Sequence, residues 1–113
     1  MSLGNALVRL GERERSTARL EDAIAAYSEA LQEIARERAP IQWATATGSQ
    51  GAALMQLGQL RGKAMTAKLA VQKVEAAVAA FQENRNSHSA AFYEARLAKA
   101  RALAGMSPGP GLP

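Results

Sequence analysis

Gly4-Asn5-Ala6-Leu7-Val8-Arg9-Leu10-Gly11 returns 47 positions later as Gly51-Ala52-Ala53-Leu54-Met55-Gln56-Leu57-Gly58. Glu21-Asp22-Ala23-Ile24-Ala25-Ala26-Tyr27-Ser28-Glu29 returns 54 positions later as Glu75-Ala76-Ala77-Val78-Ala79-Ala80-Phe81-Gln82-Glu83. The order is the same both times: a Gly/Ala/Leu block, a polar connection, then a longer block with a central aromatic. Such a recurrence marks stacked supersecondary units, none of which can bury its apolar face alone. It points to a protein that presents a surface rather than one that runs a reaction.

On either side of these blocks the apolar residues keep helical time. Leu20, Ile24, Tyr27, Leu31 and Ile34 are spaced four, three, four, three, one stripe along a helix over roughly residues 17–38. Ser16 and Thr17 are its available N-caps, Arg36 and Arg38 suit its last turn, and Pro40 stops it. Ala67, Val71, Val74, Val78 and Phe81 repeat the spacing. Between the two lies a helix over about 42–58 with Trp43, Ala46, Ala53, Leu54 and Leu57 inward. Asn84 to Ser89 reads as a turn. A last helix over 89–104 presents Phe92, Tyr93, Leu97, Ala100 and Leu103, with Gly105 as its C′ residue.

The shift of offset from 47 to 54 inserts seven residues into the second unit. Seven residues are close to two helical turns and rotate the stripe by only ~20°. Gln59 to Met65 therefore either lengthens a helix or loops around Gly62, and the reading favours helix. No alternating run of β-branched and aromatic residues exists, so the expectation is an all-α fold of five helices in antiparallel hairpins. Met106 to Pro113, three of its eight residues Pro and two Gly, is expected to be a disordered tail beyond a helical domain ending near residue 104.

Composition narrows the function classes. At 113 residues the chain suits one domain. Apolar residues make up 48% but aromatics only 4%, so the interior is built from Ala, Leu and Val. The absence of Cys removes disulfides, thiolate metal sites and cysteine nucleophiles, and suits a cytoplasmic setting. No run resembles a signal-peptide core or approaches the ~18 residues of a membrane span. The net charge of +4 is uneven: residues 1–40 carry six Arg against seven acids, and residues 41–113 carry eight basic residues against three acids. Yet Arg61, Lys63, Lys68 and Lys73 fan around a helix with no aromatics between them, which reads as a solvated surface rather than a nucleic-acid footprint.

Catalytic and cofactor patterns are not found. His88 has no neighbour at coordinating spacing. Gly48, Gly51, Gly58 and Gly62 follow no strand, so they form no phosphate-binding loop. Glu12 and Glu14 alternate with Arg13 and Arg15 as a solvated segment. Trp43 reads as an anchor between hairpins, with an exposed hot spot as the alternative; Met55 and Met65 read as gap fillers. No enzyme activity, cofactor or metal is expected.

These blocks resemble the tetratricopeptide repeat (TPR) family, in its long-loop bacterial variety. Leu3-Gly4-Asn5-Ala6-Leu7 matches the family's first-helix signature, and Gly11 to Arg19 looks like its expanded loop. Ala23, Tyr27 and Ala30 fall on the second-helix positions, and Ala77 and Phe81 repeat that pair. Residues 36–43 resemble the link to the next unit, and Phe92-Tyr93-Glu94-Ala95-Arg96-Leu97 looks like the helix that closes such arrays. Gln50 stands where the family has Leu. The match opens at Leu3, so the chain reads as the C-terminal end of an array. The resemblance implies a short α-solenoid of about two repeats over residues 1–104 with a C-terminal capping helix. It further implies a concave groove that receives a partner peptide or protein. Carried over by position, that groove takes Asn5, Val8 and Arg9, then Thr45, Gly48, Ala52, Met55 and Gln56, with Phe92 and Lys99. Gly4, Gly51, Ala23 and Ala77 would mark close helix crossings, and Tyr27 and Phe81 would fill the space between hairpins. A homodimer through the N-terminal helix would cover Leu3, Leu7, Val8 and Leu10. The alternatives are a self-associating structural bundle and a basic helical nucleic-acid binder; no specific nucleic acid and no membrane are expected as partners.

Overall fold

The computed structural model describes the backbone of residues 3–105 and the side chains of residues 14–105. Four helices account for nearly all of it: α1 (Leu3–Glu33), α2 (Pro40–Arg61), α3 (Ala64–Glu83) and α4 (Ser87–Leu103), with no strand among the described residues. None of these helices is long and apolar enough to cross a membrane. The expected tail, residues 106–113, lies outside the described residues.

The first difference from the sequence reading is that the expected loop over 11–19 is helix. Residues 3–33 form one continuous element of 31 residues, so four helices replace the expected five. The segment holds no proline, and Glu12, Arg13, Glu14, Arg15, Ala18 and Arg19 all favour helix; Gly11 alone costs only about 1 kcal/mol. Thr17, read as an N-cap, instead donates from Oγ1 to the Glu14 carbonyl at 2.8 Å, the back-bond of a hydroxyl inside a helix. At about 1.5 Å per residue α1 is about 46 Å long, which accounts for most of the 53 Å long axis. The radius of gyration is 16.0 Å, against about 13 Å for a rounded domain of this length.

The other boundaries are set by chain stereochemistry. The helix ends at Glu33 rather than residue 38, and Pro40 opens α2 instead of merely ending α1. Proline is suited to that place, where its missing N–H would have no partner. Ala39 before it is non-helical, φ −138°, as the ring demands. The segment 59–65 is not continuous helix. Gly62 takes the left-handed conformation (φ 64°), its N–H bonding the Gln59 carbonyl, while Lys63 N–H reaches back to Gly58. This pair of bonds closes the helix end and lets α3 start two residues later. The same two bonds end α3 at Arg85 and Asn86, with Arg85 at φ 57° in a place that glycine fits better. Gly105, φ 73°, follows α4 as its sequence position predicts.

Side-chain contacts tie each helix to the next along the chain. Gly51 meets Lys73 and Val74, and Gly58 meets Ala67. Glu75 pairs with Arg101 across α3 and α4, while Phe81 stacks on Tyr93 at 5.5 Å. Gln50 of α2 donates to Ile24 and Ser28 of α1. The core lies around α3, whose stripe Ala67, Val71, Val74, Val78 and Phe81 is wholly buried, joined by Ala70, Ala77 and Ala80. Small residues bring α2 to α3: a Cβ on Gly51 would stand 2.7 Å from Cγ2 of Val74. By contrast, the described residues of α1 are at most half-buried, Tyr27 included, and Ala46 and Trp43 are only half-covered. Met65, read as a gap filler, is 74% exposed.

Candidate functional site

The uncovered faces of three helices meet in one groove. Its floor is the α2 face carrying Ser49, Ala52 and Gln56, residues separated by three and four positions and so stacked along one side of the helix. One wall is Leu20, Ala23 and Tyr27 of α1, and the other is Phe92, Tyr93 and Arg96 of α4. This shallow, open cleft has a volume of about 330 Å3, near the lower limit of ordinary ligand clefts. A second depression of about 400 Å3 adjoins it, sharing Ala52, Gln56 and Arg96 and adding Met55, Ala95 and Lys99.

The site exists because α4 divides its faces. Tyr93, Leu97 and Ala100 are buried; Phe92, Arg96 and Lys99, at the same four-then-three spacing, lie along the groove. Asn86 caps the helix, its Oδ1 accepting from Ser89 N–H at 3.2 Å. Tyr93 is seated because position 48 is glycine: a Cβ there would come within 2.6 Å of the Tyr93 ring. Phe92 packs edge-on against Tyr93 at 5.1 Å, carries the Arg96 guanidinium 3.7 Å above its ring, and remains 49% exposed. On the α1 side Gln50, 3% exposed, donates from Nε2 to the Ile24 carbonyl at 3.0 Å and to Ser28 Oγ at 2.7 Å. It fastens the α1 wall to the floor by side-chain hydrogen bonds. Nearer the end of α2, outside both clefts, Arg61 meets Glu21 of α1 at 2.7 Å.

The residues carried over from the repeat pattern divide accordingly. Ala52, Gln56 and Phe92 share the first cleft, and Met55 and Lys99 join Ala52 and Gln56 in the second. Thr45 sits outside both, its hydroxyl donating to the Ile41 carbonyl at 2.8 Å. Gly48 lies beneath the Tyr93 ring instead of facing the groove. The side chains of Asn5, Val8 and Arg9 lie outside the described residues. Sequence reasoning missed Arg96, Ser49 and the α1 wall. Arg96 was legible as the middle of the Phe92–Arg96–Lys99 row; the α1 wall was not, because it depends on where α1 docks. Trp43 is half-buried with Arg36 4.8 Å over its ring, an arrangement between the two readings given for it.

No protein-family model, curated protein or solved structure matches this chain. What the groove can do therefore rests on its own chemistry. Among the described residues no group of three or more His, Cys, Asp or Glu side chains is placed to hold a metal. The lining supplies apolar contact, two amphipathic aromatics, a serine, an amide and two cations. That set suits reversible binding of a side chain or a short segment.

Proposed function

We propose that this protein is a non-enzymatic, cytoplasmic interaction module with a TPR-like scaffold, and that the groove between α1, α2 and α4 receives a peptide segment of a partner protein. On this reading α2 and α3 form one helical hairpin, and α4 stacks alongside α2 and closes a short solenoid. The observation that carries the proposal is Phe92. A large aromatic left half-exposed beside a concave, partly apolar cleft has the character of an interface anchor. The directions of the contacts support the scaffold: Gly51 with Val74 and Gly58 with Ala67 set α2 opposite to α3, Glu75 with Arg101 and Phe81 with Tyr93 set α4 opposite to α3, and α2 and α4 therefore run the same way.

Peptide-display selection on the full chain, with counter-selection on Ala52→Trp, tests the groove. Peptides that bind the parent protein and lose the Trp variant, whose floor is filled, are the expected result. No enrichment, or peptides that bind both equally, refutes it. A second reading, self-association, draws on Met65 and Leu69, one turn apart and both exposed on α3. The homodimer through the N-terminal helix belongs to the same reading. Light scattering of the chain at about 50 μM, a concentration at which a modest apolar interface would be populated, separates dimer from monomer.

A further inference from the structure

We infer that the occupant of this groove is an acidic peptide, anchored by one apolar side chain and read by Arg96 and Lys99. The inference rests on the groove being a peptide site and names the chemistry of its ligand. Three ion pairs occur among the described residues, and they use Arg36, Arg61 and Arg101. On α4 the charges facing α3 are spoken for: Glu94 accepts from Gln82 at 2.8 Å and Arg101 meets Glu75 at 3.4 Å. Arg96 and Lys99 are on the groove side with no acidic partner among the described residues.

Among the described residues nothing else in the groove offsets their charge. The described residues lining both clefts include no Asp or Glu, and α2 carries no charged residue from Pro40 to Leu60. An occupant therefore lies on a neutral floor against a cationic wall, where burying it desolvates two positive charges. A neutral or basic segment leaves them uncompensated; carboxylates compensate them. Arg96 is also prepared for the task. Stacked on Phe92, its guanidinium has lost rotamer freedom and keeps its in-plane N–H donors for a carboxylate. Side chains three positions apart on a helix have Cβ atoms about 5–6 Å apart, so two acids one helical turn apart in the partner match Arg96 and Lys99. The aromatic and aliphatic walls, Tyr27, Leu20 and Phe92, take the apolar anchor. The chain's own residues 106–113 include no Asp or Glu, so they offer no pair of side-chain carboxylates one turn apart. Two cations over an uncharged floor are too few to track a phosphate backbone, which favours a peptide over nucleic acid.

Fluorescence polarisation with the full chain tests this. The probes are three labelled peptides of one scaffold, each with a single Leu anchor and two flanking positions filled by Glu, Gln or Lys. The Glu peptide is expected to bind about tenfold more tightly than the Gln peptide, to weaken as salt rises from about 0.05 to 0.3 M, and to outbind the Lys peptide by more. Arg96→Glu combined with Lys99→Glu should reverse the order, while Arg101→Glu, which faces α3, should preserve it; circular dichroism confirms that each variant is folded. Equal binding of all three peptides, abolished by Ala52→Trp, overturns the acidic inference and leaves the groove intact. No binding by any of them, together with a failed display selection, overturns the groove and this inference with it. Displacement of the Glu peptide by a short single-stranded oligonucleotide at comparable concentration, with Arg96 and Lys99 required, identifies a phosphate site and overturns it as well.

Discussion

Gly51→Ala sets two helix effects against each other, and the packing of α2 on α3 decides between them. Inside a helix, Ala is favoured over Gly by about 1 kcal/mol, so local propensity predicts a gain. The new Cβ, however, would stand 2.7 Å from Val74 Cγ2, 3.1 Å from Lys73 Cβ and 3.2 Å from the Val74 backbone nitrogen. Carbon atoms in contact prefer about 3.5–4.0 Å, a deficit near 1 Å at the closest pair. Val74 is 0% exposed, and a valine in a helix has essentially one rotamer, so the methyl cannot swing aside. Relief requires α3 to move away from α2, loosening Ala67, Ala70 and Val71. Overpacking of this kind costs about 1–3 kcal/mol. With a rigid neighbour and a backbone contact the upper part of that range applies, about 2.5, leaving a net loss of about 1.5 kcal/mol after the propensity gain. Urea denaturation followed by circular dichroism measures it, and in a thermal melt the midpoint temperature should fall by roughly 6 °C. Val74→Ala alone should cost about 2 kcal/mol for the lost methyls and the cavity. The double variant should be less destabilised than the sum by about 1–2 kcal/mol, because each change makes room for the other. A Gly51→Ala protein more stable than the parent, or strictly additive losses, would show that α2 and α3 do not approach as closely as described.

Two further changes probe the uneven burial of the repeated blocks. Phe81→Ala, at a residue 1% exposed and stacked on Tyr93, should cost about 3–5 kcal/mol, whereas Tyr27→Ala in the half-buried α1 wall should cost about 1–2; equal losses in chemical denaturation would contradict the placement of Tyr27. Gln50→Leu replaces a buried amide whose Oε1 has no partner with an apolar side chain of similar volume. Ser28 is exposed and can turn to water, so stability should stay within about 1 kcal/mol of the parent. A loss above about 2 kcal/mol would mean that the bonds from Nε2 hold α1 in place more strongly than the buried oxygen opposes them.

The sequence alone determined what depends on neighbours along the chain. The four-three spacing of Ala67, Val71, Val74, Val78 and Phe81 marks a buried stripe because side chains on one helix repeat every ~3.6 residues whatever lies opposite, and all five are buried. Gly105 was legible as a helix terminator for a similarly local reason. The analogous row in α1, Leu20 to Leu31, has the same spacing but is only half-covered, since periodicity says which side of a helix is apolar and not how much of it a neighbour reaches. Residues 11–19 were misread because a polar, charged segment without proline is as compatible with a solvated helix as with a loop; the continuous α1 here follows its residue propensities. Tertiary structure alone decided that Gly48 makes room for Tyr93, that Gln50 turns inward to bond α1, and that Tyr27, Ala52 and Phe92, far apart in the chain, face one groove. Each of these depends on the separation and rotation of packed helices. Those are set by how side chains from two surfaces interlock, a relation between segments that no single segment encodes.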